Sequence, residues 1–183
     1  MFNQFRFYGS IKSLSITSGL AVSLFFTSAG AWAVNTGLAC TLPAGNFTAA
    51  NWVSAQKTAA TNNSHLVECH IGKDTTWLQQ RTAQKQGNCA KQATASSWSD
   101  ANAMWQSVEA DIKTFCDKTV VPSGESRYVI KTDMKGTGAK VGEVYSKTKG
   151  SADIDDTQSA VTVLERYGSN DQWYILTGYP VLK

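Results

Sequence analysis

Apolar residues recur at spacings of three and four through Ala101, Trp105, Val108, Ile112 and Phe115. That period lays them along one stripe of an amphipathic helix, which begins at Ser99 or Asp100. Two shorter helices are predicted upstream. Asn63 and Ser64 can cap a helix whose Leu66, Val67 and Ile71 share a side, with Gly72 placed to end it. Asp74 can cap another that runs through Thr75, Trp77, Leu78 and Arg81 and closes at Gly87. The small, polar stretch from Ala93 to Ser99 reads as a loop. Beyond the long helix the period changes. Arg127 to Ile130 is a short β-prone run, while Val141 to Tyr145 and Ala160 to Tyr167 alternate. Gly168 to Asp171 is a turn, and Gln172 to Thr177 completes a hairpin with the strand before it. Helices first and strands after predict an α+β domain, its N-terminal helices packed on a C-terminal antiparallel β-sheet.

The start of the chain has a different pattern. Arg6 and Lys12 precede a largely apolar stretch from Leu14 to Phe26, and Ala31-Trp32-Ala33 has the small-x-small form of an export cleavage site. Ser15, Thr17, Ser18, Ser23 and Thr27 dilute the stretch below the roughly 20 apolar residues of a membrane span. Gly37-Leu38-Ala39 before Cys40 lacks the large aliphatic residue of a lipid-attachment site. The expected division is a secretory signal peptide over 1–33, an N-terminal extension over 34–62 and the main domain over 63–183. Signal removal places the protein in the periplasm or outside the cell, with no stable membrane span. The formal charge of +3 falls to about +1 when Arg6 and Lys12 leave, so no global electrostatic footprint announces nucleic acid.

All four cysteines, Cys40, Cys69, Cys89 and Cys116, follow the signal. An even number in an exported chain favours two disulfides, and the lack of a C-x-x-C spacing argues against zinc. Three pairings remain open on the sequence alone. If the second and third predicted helices pack antiparallel, Cys116 meets Cys69 and Cys40 is left for Cys89. Cys69 and Cys89 would then stand at opposite ends of a helix roughly 18 Å long, beyond disulfide reach unless the chain folds back.

Histidine is confined to His65 and His70. Five residues apart on a helix they differ by about 140°, so they do not form a metal-binding i, i+4 pair. Each has a bland reading as a half-buried polar residue, Arg81 as a solvated helix position, and Thr177 and Tyr179 as an edge threonine and a core-closing aromatic.

Taken together and in order, these pieces resemble the ribonuclease A-like toxin domain found at the C-termini of bacterial contact-dependent growth-inhibition proteins. The similarity runs from about His65 to Pro180. It is carried by Ser64-His65-Leu66-Val67-Glu68-Cys69-His70-Ile71-Gly72-Lys73, by Leu78 and Arg81, and by Ser96-Ser97-Trp98-Ser99-Asp100-Ala101. Val141-Gly142, Val161-Thr162-Val163-Leu164 and the terminal Tyr174 to Pro180 complete it. The resemblance implies an RNase A-like fold and a metal-free RNase without cofactor. Its catalytic residues would be His70, Arg81, Thr177 and Tyr179, with His65 and Lys73 binding substrate. It further implies RNA as substrate, a monomer, and a cognate immunity protein as partner. Asn63-Ser64 replaces the family's paired glycines and Cys69 its lysine; the loss of that lysine either weakens phosphate binding or is met by Lys73 as a substitute.

The chemistry suits those residue types. RNA supplies its own nucleophile in the 2′-hydroxyl, so the protein must supply a base, a proton donor for the leaving 5′-oxygen, and a cation for the phosphorane. Neutral His70 can move the proton, Arg81 can fork onto two phosphate oxygens, and Thr177 and Tyr179 share a face of their strand. Two other readings stand beside the enzyme: a non-enzymatic exported binding module on the same scaffold, and a periplasmic structural or stress protein.

Overall fold

The structure is a computed structural model that describes residues 35–41, 45, 47–58, 63–168 and 171–183. The signal peptide expected over 1–33 and its expected cleavage site lie outside the described residues. The elements run α1 (Ala49–Thr58), α2 (Leu66–His70), α3 (Thr75–Ala83), β1 (Thr94–Trp98), α4 (Ala101–Lys118), β2 (Arg127–Asp133), β3 (Lys140–Ser146), β4 (Gly150–Asp155), β5 (Ser159–Tyr167) and β6 (Gln172–Val181). The class is α+β. The antiparallel strands divide between two three-stranded sheets, β1-β3-β4 and β2-β5-β6.

The long helix is the one its periodicity predicts. Asp100 caps α4 by accepting from the Ala103 amide, and Met104, Trp105, Val108, Ile112, Phe115 and Cys116 form its buried stripe. Asp74 caps α3 in the same way through the Trp77 amide. That helix ends at Ala83, four residues before Gly87, which instead occupies a left-handed turn (φ 55°). Two expectations need correction. Ala93 to Ser99 is not a loop: Thr94–Trp98 pairs with Trp98↔Gly142 through Thr94↔Ser146. Its Ser96 and Ser97 are buried, and Ser97 Oγ donates to the Trp98 carbonyl and accepts from the Lys73 amide. The strand is held by tertiary pairing that its composition does not announce.

The disulfides are also rearranged. Cys40 joins Cys116 and Cys69 joins Cys89, not Cys40–Cys89 and Cys69–Cys116. The expected antiparallel packing of the second and third predicted helices, α3 and α4, does not occur. α3 lies against β1 and β3, while α4 packs against α1 and β2. After α3 the chain folds back through a tight turn in which Gln86 and Cys89 exchange backbone hydrogen bonds of 3.0 and 2.8 Å. That reversal returns Cys89 to Cys69, their Cα atoms 5.6 Å apart.

One core joins the layers. Trp52 of α1, Leu66, Trp98, Met104, Ile112, Phe115, Ile154, Leu164, Trp173 and Ile175 belong to a single buried cluster. Ala39, Ala49, Trp52 and Val53 share in it, and Asn35 is buried beside it, with its amide donating to the Phe115 and Thr119 carbonyls at 2.7 Å. β6 crosses the β1-β3-β4 sheet, and the crossing demands glycine at position 142. A Cβ there would stand 2.3 Å from the Ser97 carbonyl oxygen and 3.2 Å from Pro180. Trp98 Nε1 donates to the Gly178 carbonyl at the same crossing.

Candidate active site

Where β6 crosses the other sheet, a cavity of about 730 Å³ opens. α2 contributes His70, with His65 just before it, and α3 contributes Arg81. β6 contributes Thr177, Tyr179 and Val181, and the opposite wall carries Thr94, Ser96, Val144, Ser146, Thr148, Lys149 and Ala152. Five of the six site residues expected from the sequence therefore meet in one place. Lys73 does not line it. Its ammonium sits 5.3 Å from the centre of the Trp77 ring.

Local geometry explains the convergence. The Ser64 hydroxyl donates to the Ile175 carbonyl at 2.8 Å, and the His65 amide to the Leu176 carbonyl at 2.9 Å, so the entry to α2 is pinned to β6. At its other end the Gly72 amide donates to the Trp98 carbonyl. α2 is thereby held between the two sheets, with His70 on its last turn. A bulge in β6 places Ile175 opposite Leu164 but Thr177 opposite Val163. Leu176 is the extra residue, and beyond it Thr177, Tyr179 and Val181 face the cavity.

His70 is 6% exposed. Its Nδ1 lies 2.9 Å from the Ser96 carbonyl oxygen, which can only accept, so Nδ1 carries the proton and Nε2 presents a lone pair. Arg81 Nη1 stands 3.4 Å from that Nε2. Burial, then the neighbouring Arg81 charge, push the His70 pKa down to about 3. The ring is neutral across the physiological range. Tyr179 stacks on it, ring centres 5.1 Å apart and planes 28° apart. His65 is half-buried, its ring centre 6.2 Å from that of His70, and burial lowers its pKa too.

Arg81 is 3% exposed. Nε donates to the Ala90 carbonyl at 3.2 Å, and Nη1 donates to the Cys69 carbonyl at 2.9 Å. With Nη1 also facing His70, the N–H groups left for an anion are those of Nη2. Thr177 is 8% exposed, and its hydroxyl has no hydrogen-bond partner among the described residues. A buried hydroxyl left unpaired costs roughly 1–3 kcal/mol, and this one borders the cavity. No group of three His, Cys, Asp or Glu side chains among the described residues is placed to hold a metal ion.

Some of the site escaped sequence reasoning. The Cys69, Ala90 and Ser96 groups act through backbone carbonyls, which carry no residue signature. Lys149, the second cation on the cavity wall, sits in a Lys147-Thr148-Lys149-Gly150 turn that composition marks only as a turn.

No curated protein matches this chain. Among solved structures, the crystal structure of a CdiA-CT/CdiI complex from Y. kristensenii 33638 is similar at 21% identity and a TM-score of 0.44, over 64% of this chain and 99% of that one. The family model of the bacterial CdiA-CT RNAse A domain matches residues 64–180, from the serine that anchors α2 to the proline that closes on Gly142. The fold, the cavity and that match agree: this chain belongs to the bacterial CdiA-CT RNAse A domain family.

Proposed function

We propose that this protein is an exported, metal-independent endoribonuclease that cleaves RNA by transphosphorylation through the 2′-hydroxyl, and that it acts as an antibacterial toxin. The observation that carries the reading is the meeting of His70, Arg81, Thr177 and Tyr179 in one cavity of a chain from this family. A phosphodiester enters beside Nη2 of Arg81 and the unpaired Thr177 hydroxyl. Its negative charge next to His70 offsets the Arg81 charge and raises the basicity of Nε2. As Arg81 Nη1 turns from Nε2 to the phosphate, the freed lone pair takes the 2′-hydroxyl proton, the 2′-oxygen bonds to phosphorus, and the bond to the 5′-oxygen breaks. Tyr179 supplies the proton to the departing oxygen. Arg81 and Thr177 hold the charge that builds on the phosphorane. The apolar patch of Val144, Ala152, Val181 and Leu182 offers a nucleobase a dry surface.

Export is proposed on the pattern before Val34, with periplasmic or extracellular release and delivery into target cells as its consequence. Asn35, the second residue after the expected cut, is buried, so cleavage at Ala33 would leave the described body whole. A cognate immunity protein is the partner expected of a toxin in this family, covering a cleft whose access it must deny; the toxin itself is read as a monomer.

Purified protein incubated with single-stranded RNA in EDTA is expected to leave a 2′,3′-cyclic phosphate and a 5′-hydroxyl, and to spare DNA. Folded, disulfide-bonded protein inert on a broad RNA panel would favour the binding-module reading. Linear 3′-phosphates formed without a cyclic intermediate would reject the 2′-hydroxyl mechanism.

A further inference from the structure

The two disulfides differ in what they touch. Cys40–Cys116 ties the N-terminal segment to the end of α4, and neither residue lines the cavity. Cys69–Cys89 stands beside the two groups that hold Arg81. One acceptor of the guanidinium is the carbonyl of Cys69 itself, and the other is the carbonyl of Ala90, next in the chain after Cys89. Covalent and hydrogen bonds thus close a ring from Cys69 through the disulfide to Cys89, Ala90, Arg81 and back to Cys69.

Little else fixes the far side of that ring. Between Ala83 and Thr94 every described side chain is exposed or half-buried except Cys89, which is 1% exposed. The remaining hydrogen bonds among the described residues are the Gln86–Cys89 pair internal to the turn, backbone bonds from Gln84 to Gln80 at 2.9 Å and from Gln92 to Arg81 at 3.3 Å, and contacts from Asn88 to Glu68 at 3.4 and 3.5 Å. A segment with few buried contacts opens locally at low free energy. The Cys69 carbonyl, by contrast, is held within α2.

We propose that the Cys69–Cys89 disulfide is a positioning element of the active site, which pins the Ala83–Thr94 segment so that the Ala90 carbonyl locks Arg81 against His70. Without the bond the fold persists on its single core and on Cys40–Cys116, while the segment lifts and Arg81 loses one of its two carbonyl anchors. This inference rests on reading His70 and Arg81 as the reacting pair. It assigns to Cys69, where the family resemblance has a lysine, a role through Arg81 rather than through a charge of its own.

The experiment compares Cys69→Ser/Cys89→Ser with Cys40→Ser/Cys116→Ser, each checked for folding by circular dichroism. Two readouts follow: kcat and KM on single-stranded RNA, and the pH titration of the His70 ring by NMR. In the first variant kcat is expected to fall by about 10²-fold, the usual cost of an ångström-scale misplacement, with a smaller change in KM. His70 is expected to titrate at higher pH than in the wild type, because the Arg81 charge that depresses it moves away. The second variant should leave both near wild type. Folded Cys69→Ser/Cys89→Ser protein with unchanged kcat and an unchanged His70 titration would overturn the inference. If that variant unfolds, one glycine inserted between Cys89 and Ala90 moves the Ala90 carbonyl with the disulfide intact. It must then reproduce the kcat loss and the His70 shift, or the inference fails. Wild-type protein inert on RNA would sink the ribonuclease reading alone, because the His70 titration still decides the role of the disulfide.

Discussion

The two walls of the cleft are built differently. On one side His70 and Arg81 stand on helices, buried, with ring and guanidinium each bonded to backbone carbonyls and a disulfide beside them. On the other, Thr148, Lys149 and Gly150 form the exposed end of the β3–β4 hairpin, where a contact between the Ser146 and Thr148 hydroxyls and a 3.3 Å bond from the Thr148 amide bridge the turn. Chemistry needs groups whose orientation is settled before the substrate arrives. Recognition of a long, flexible strand tolerates a wall that adapts. The first wall should therefore govern kcat and the second KM.

The largest test of that division is His70→Ala. Loss of the proposed proton-transfer group is expected to lower kcat by about 10²–10⁴-fold, measured by single-turnover cleavage with folding checked separately. Activity that survives unchanged would leave an RNase but move its chemistry elsewhere in the cavity.

Arg81→Lys comes next. Lysine keeps the charge but cannot reproduce a planar guanidinium that bonds the Cys69 carbonyl through Nη1 and the Ala90 carbonyl through Nε and still offers Nη2. A fall in kcat of about 10²-fold is expected, the scale of losing one transition-state donor. A lysine variant with wild-type kcat would mean that only charge matters there and that the carbonyl anchors do not.

A third test uses pH on the rigid wall alone. His70 is depressed to about 3 by burial and by Arg81, against about 6.5 in the unfolded chain. Between those values the unfolded state binds more protons, so stability rises with pH in that window. The stabilisation from keeping His70 neutral is complete above pH 6.5 and is lost as pH falls towards 3. Its share of the slope is at most about 1.4 kcal/mol per pH unit. Urea unfolding from pH 4 to 7 should show a shallower acid loss in His70→Ala than in wild type. Parallel curves would place His70 in a wetter setting than its burial indicates.

The same contrast explains what the sequence could disclose. α4 was legible because one element carries its whole signal, an Asp100 cap followed by a stripe at spacings of three and four. β5 and β6 were legible because alternation and a turn sit side by side. β1 was not, since Ser96 and Ser97 are buried by pairing with a strand over 40 residues later. β4 was not either, because it is mostly exposed and has no clear alternation. The helix at Ala49–Thr58 buries Trp52, Val53 and Gln56 yet has only a weak amphipathic pattern to announce it. At the site, side-chain identities survived as a motif, and His65, His70, Arg81, Thr177 and Tyr179 do converge. The groups that orient them are carbonyls of Ser96, Cys69 and Ala90, and the cystine pairing turns on a fold-back at Gly87. Those depend on backbone path, to which residue type is nearly blind.

Lys149→Ala addresses the adaptable wall and should have the smallest effect. Lys149 is exposed on a hairpin end and lines the cavity together with Arg81, whereas Lys73 is turned onto Trp77. An exposed cation meeting a phosphate contributes on the order of 0.2–1 kcal/mol. KM should accordingly rise by about 1.4- to fivefold while kcat holds. The sharper readout is salt. Each phosphate contact to a single strand contributes about −0.7 to the slope of log affinity against log salt. Removing Lys149 should flatten the slope for a non-cleavable 2′-O-methyl strand by about that amount, and Lys73→Ala should leave it unchanged. If Lys73→Ala flattens the slope and Lys149→Ala does not, the phosphate path runs along α3 rather than along the hairpin. A Lys149→Ala defect that falls on kcat instead would place the hairpin among the parts that do the chemistry and erase the contrast between the walls.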